Sequence, residues 1–95
     1  VQTVLFFLFF IIMQVLYFGW VRSRIGHGKE ELKLPPGIDT VAGLIHWLKS
    51  RGDGYAHAFE DSDVIRAAVN QEIAPHDTAI AESDEVALFP PMTGG

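Results

Sequence analysis

Hydrophobic residues follow three different rhythms along this chain, and each rhythm predicts a different element. Val4 to Met13 is an unbroken apolar run. Gln14 to Val21 is rich in β-branched and aromatic residues and reads as a buried strand. After a turn at Gly26-His27-Gly28, residues 30–34 alternate, with Leu32 and Leu34 on one face and Glu31 and Lys33 on the other. Two strands around a short turn predict a hairpin, which Pro35-Pro36-Gly37 closes because proline cannot donate to a ladder. The rhythm then changes. Val41, Leu44, Ile45 and Leu48 recur at i, i+3, i+4 and i+7, the stripe of an amphipathic helix. Asp39 or Thr40 is its expected N-cap, Lys49 and Arg51 suit the negative end of its dipole, and Gly52 is its expected stop. A short second helix is expected over 55–59. Val64 to Asn70 reads as a strand, Pro75 to Thr78 as a turn, and Val86 to Phe89 as a last strand ended by Pro90-Pro91. Strand, strand, helix and strands again make an α+β fold, with one main helix packed on one face of a sheet.

The first run is long enough, continued to Val21, to span a bilayer, since a transmembrane helix needs roughly 17–25 residues. Three features oppose that reading. No Lys or Arg precedes the run, the nearest cations (Arg22 and Arg24) follow it, and Val15 to Val21 is needed in the sheet. The expected organisation is therefore an apolar extension over 1–12 outside the native domain, a domain over 13–89 starting at Met13, and a flexible tail over 90–95. A short membrane anchor is the alternative for the extension.

Composition narrows the function. The 95 residues include no cysteine, which excludes disulfides and thiolate chemistry and fits a reducing, cytoplasmic setting. A net charge of -5 without a basic cluster argues against nucleic acid as a partner. The acidic stretches at 60–63 and 82–85 read as solvated surface, with attraction to a basic partner as the sharper alternative. His27, His46, His57 and His76 have no i, i+4 pairing, so no metal site is expected. Ser62 and Ser83 lack a nucleophile-elbow frame, and Gly26 and Gly28 lack the Lys-Ser/Thr of a phosphate loop. Nothing along the chain builds an active site of its own.

The last six residues are different: Pro90-Pro91-Met92-Thr93-Gly94-Gly95. Extended, they reach about 20 Å at 3.3–3.6 Å per residue. The prolines stiffen the base, and the two glycines leave a tip without side chains that can thread a narrow channel. A free carboxylate there is a poor electrophile, so ATP used by a partner enzyme must activate it. A frayed terminus would also end this way.

The sequence from Asp84 to Gly95, closing Phe-Pro-Pro-Met-Thr-Gly-Gly, resembles the C-terminal signature of the MoaD family, the small subunit of molybdopterin synthase. Val15-Leu16-Tyr17-Phe18, Thr40-Val41 and Ala68-Val69-Asn70-Gln71 resemble its other motifs, in order, over 13–95. The resemblance implies a ubiquitin-like β-grasp fold with a mixed sheet and no bound cofactor. It implies that Gly95 is adenylated by an E1-like enzyme of the MoeB type, receives sulfur from a donor as a thiocarboxylate, and passes it to cyclic pyranopterin monophosphate in the large subunit, MoaE. Gly94 then allows passage, and Pro90, Pro91, Met92 and Thr93 lie along the inserted tail. Phe89 and Ile73 contact the large subunit, or else pack in the core. A carrier for thiamine or another cofactor, a protein modifier, and a membrane-anchored interaction module are the alternatives.

Overall fold

The computed structural model describes residues 12–91. The apolar run over 1–11 and the tail residues Met92, Thr93, Gly94 and Gly95 lie outside them, together with what was expected of them. Ile12 opens the first strand, one residue before the expected domain boundary.

Five strands form one mixed sheet in the order β2-β1-β5-β3-β4. They are β1 (Ile12–Tyr17), β2 (Lys29–Lys33), β3 (Arg66–Val69), β4 (Glu72–Ala74) and β5 (Glu85–Phe89). The central pair, β1 and β5, is parallel, and every other pair is antiparallel. Both central strands alternate with the period of the pleat, burying Met13, Val15 and Tyr17 from one and Val86 and Leu88 from the other. Among the helices, α2 (Val41–Lys49) supplies the expected stripe to this core, and all four of its members are buried. Each such aliphatic side chain contributes about 1.5–3 kcal/mol by leaving water. An α+β ubiquitin-like β-grasp results.

The start of α2 explains how the loop on its other side is held. Thr40 is the N-cap, and its hydroxyl accepts the Gly43 N–H at 3.1 Å. The Val41 and Ala42 N–H groups donate to Thr78 and His76 carbonyls at 3.1 and 2.8 Å. The first three free donors of the helix are thereby satisfied.

Three expectations change. Gly19-Trp20-Val21 does not continue the first strand but opens α1 (Gly19–Ile25). Phe18 is its extended N-cap, and Gly19 at φ 57 turns the chain out of the sheet, so Val21 is buried from a helix instead. β1 and β2 do pair antiparallel, but α1 joins them rather than a tight turn, with Gly26 at φ 103 ending that helix. Val64 belongs to a 3₁₀ turn (Ser62–Val64), and β3 starts at Arg66. β4 was not foreseen: it has three residues and one strand former. It forms because Asn70 and Gln71, at φ 51 and 71, make a turn whose twist matches the flanking strands. The expected second helix is present as α3 (Asp53–Ala58).

Candidate functional site

The base of the tail is fixed from both sides. β5 ends at Phe89, and the Phe18 N–H donates to the Leu88 carbonyl at 3.1 Å. Pro90 then lies over Gly19, so closely that a Cβ there would come within 2.7 Å of the proline ring. Pro90 and Pro91, half-buried, therefore leave the sheet beside the start of α1.

Phe89 and Ile73 are both absent from the core. Strand alternation puts Phe89 on the face of the sheet opposite α2, because its neighbour Leu88 is buried. The register places Leu16, Ala87, Ala68 and Ile73 side by side across that face. Ile73 is 66% exposed, and Phe18, next to the tail base, is 48% exposed. One row nearer the tail, Phe89 stands opposite Arg66. One row further away lie Glu31, Gln14 and Glu85. The outcome is a row of small and apolar side chains, aromatic toward the tail exit and polar beyond. Sequence reasoning found Phe89 and Ile73 but missed Leu16, Ala68, Ala87 and Arg66 as parts of this face. Only the register brings them together.

A second cluster, invisible in the sequence, stands at the other edge. Glu30 of β2 accepts the hydroxyls of Tyr17 at 2.7 Å and Tyr55 at 2.8 Å, and it also pairs with Arg51 and His27. Burial alone would raise the Glu30 pKa, but the hydrogen bonds from Tyr17, Arg51, Tyr55 and His27 outweigh it and hold the carboxyl at about 2. Burial, and then the bond to that carboxylate, pushes the Tyr55 hydroxyl up to about 12. This cluster joins the end of β1 to β2, the α1–β2 loop and the start of α3. It is closed and satisfied, a staple rather than a reactive site. His76 is likewise engaged, with Nε2 at 2.6 Å from the Ile65 carbonyl. Among the described residues no group of three potential ligands can hold a metal ion, and no helix is long and apolar enough to cross a membrane.

A family model described as the ThiS family matches residues 15–95. The chain belongs to the ThiS family. Two relatives carry a more specific name. The chain is 37% identical over 83 residues to the molybdopterin synthase sulfur carrier subunit of Escherichia coli (strain K12), covering 87% of this chain and 99% of the relative. It is 34% identical over 83 residues to the subunit of that name from Haemophilus influenzae, with the same coverage. The resemblance to the small subunit of molybdopterin synthase is thus borne out.

Solved structures agree on the fold. A putative molybdopterin converting factor subunit 1 from Pyrococcus furiosus is 30% identical with a TM-score of 0.66, over 86% of this chain and 99% of that one. Small archaeal modifier protein 1 from Haloferax volcanii is 28% identical with a TM-score of 0.64, over 85% and 98%. Subunit 1 or 2 within a molybdopterin-converting factor complex from Helicobacter pylori matches at 21% identity and a TM-score of 0.58, over 88% and 99%. That last likeness speaks to fold alone.

Proposed function

We propose that this ThiS-family chain is a cytoplasmic sulfur carrier of molybdopterin synthesis, acting through Gly95 as a non-catalytic subunit. The observation that supports it most is the identity to two molybdopterin synthase sulfur carrier subunits over nearly their whole length. The chemistry follows from the terminal carboxylate. One of its oxygens attacks the α-phosphorus of ATP on an E1-like enzyme of the MoeB type, and pyrophosphate leaves. Sulfide supplied by a donor then attacks the acyl carbon, AMP leaves, and Gly95 ends in a thiocarboxylate. A large subunit of the MoaE type receives the tail, with Gly94 and the run from Pro90 to Thr93 in its channel, and takes the sulfur onto cyclic pyranopterin monophosphate.

The open face is the docking surface in this reading. Phe89 and Ile73 are anchors, because a 66% exposed isoleucine and an aromatic on the same open face are stabilised by a partner that covers both. Pro90 packed on Gly19 fixes where the chain leaves the sheet, at the start of α1.

Intact mass after incubation with the activating enzyme, ATP and a sulfur source tests the carrier step. A gain equal to one oxygen replaced by sulfur, mapped to Gly95 and absent without ATP, is expected. Removing Gly95 should leave folding unchanged and abolish the gain. A truncated protein that still supports molybdopterin formation overturns the mechanism. The likeness to an archaeal modifier protein keeps conjugation as a second reading. Covalent adducts to lysines in lysate, lost with Gly95, would favour it.

A further inference from the structure

The charges on the open face are arranged differently from those of the whole chain. The net charge is -5, yet the two rows nearest the tail carry only cations. Lys29 stands beside Leu16 at one end, and Arg66 stands opposite Phe89 at the other. The carboxylates on this face, Glu31 and Glu85, lie one row further from the exit. Two other arginines are already engaged, Arg24 with Glu60 at 3.6 Å and Arg51 with Glu30. Arg66 is exposed and makes no ion pair among the described residues. A planar cation with five donors beside an aromatic ring is costly to cover unless it meets a carboxylate.

We infer that Arg66 is a specificity-determining contact of the docking face, pairing with a carboxylate on the protein surface that covers Phe89 and Ile73. The inference rests on the docking role proposed for that face and adds the chemistry its partner must present. Apolar anchors supply affinity but accept many surfaces. A charge fixed by strand register next to them rejects a partner lacking the complementary group and sets how that partner is oriented. Fixed on β3, Arg66 is placed by backbone geometry and not by a loop, so its position relative to Phe89 is constant.

The test measures affinity for the cognate molybdopterin synthase large subunit by calorimetry, at low and high salt, with Arg66→Glu, Arg66→Lys and Phe89→Asp in the full chain. Arg66→Glu is expected to weaken binding at least tenfold at low salt. That loss should shrink at high salt, where exposed charges are screened. Arg66→Lys, which keeps the charge but loses the planar fork, should weaken binding less than Arg66→Glu and keep the parental salt dependence. Arg66 is exposed, so both variants should match the parent in far-UV dichroism and melting. If Arg66→Glu binds with parental affinity and salt dependence while Phe89→Asp does not bind, the role of Arg66 is refuted and the docking face stands. If Phe89→Asp also binds like the parent, the docking face itself is wrong and the inference falls with it.

Discussion

Replacing Glu30 with glutamine tests the least expected feature of this fold. The carboxylate accepts two tyrosine hydroxyls and pairs with Arg51 and His27, and its pKa falls from 4.5 to about 2. At about 1.36 kcal/mol per pH unit, that difference is equivalent to roughly 3 kcal/mol of folding stability at neutral pH. The side chain keeps 12% exposure, so water screens part of it and ~2 kcal/mol is the working figure. A carboxyl with a folded pKa below its unfolded value stabilises the fold above pH 4.5, and the contribution is lost as pH falls through about 2. Glutamine removes the charge at every pH. Glu30→Gln should therefore cost ~2 kcal/mol at pH 7, about 8–16 °C of melting temperature for a domain of this size. By pH 3 the gap between parent and variant should have narrowed to less than half. Urea unfolding followed by fluorescence of Trp20 and Trp47, repeated from pH 7 down to 3, measures both effects. A variant whose unfolding midpoint matches the parent at pH 7, or a gap that stays constant across the range, would refute the reasoning.

Two other substitutions probe local structure. Thr40→Ala removes the hydroxyl that accepts the Gly43 N–H and should cost about 1 kcal/mol by chemical denaturation. An unchanged midpoint would mean that the Val41 and Ala42 bonds to the 75–78 turn hold the helix start alone. Gln71→Gly replaces a side chain held at φ 71 and should raise stability by roughly 0.5–1 kcal/mol, since left-handed backbone costs a residue with a Cβ about 1–2 kcal/mol. A destabilised variant would show that the Gln71 side chain matters more than its backbone strain.

Much of the core was legible because its signals are local. The stripe from Val41 to Leu48, the alternation in β2, the apolar run of β5 closed by two prolines, and the Thr40 cap each depend on a spacing of a few residues. The Phe-Pro-Pro-Met-Thr-Gly-Gly ending pointed to the right family for the same reason: its residues are contiguous. Where the local signal was mixed, the reading failed. Val21 favours a strand by its β-branched side chain, and Gly19 with its positive φ decided for the helix. β4 is too short to show a period, and only the turn at Asn70-Gln71 and pairing with β3 make it a strand.

What the sequence determined by itself was the main helix and its buried side, four of the five strands and the contiguous C-terminal motif, because each is written in neighbours along the chain. The tertiary structure alone decided which distant residues share a surface. Parallel pairing of β1 with β5 and the antiparallel addition of β3 and β4 put Leu16, Ala87, Ala68 and Ile73 in one row, with Arg66 opposite Phe89. The same folding brought Tyr17 and Tyr55 from two other elements onto the Glu30 carboxylate. Strand register is a long-range property, since a slip of one residue turns every side chain to the other face. No pattern within a single strand records its partner's alignment.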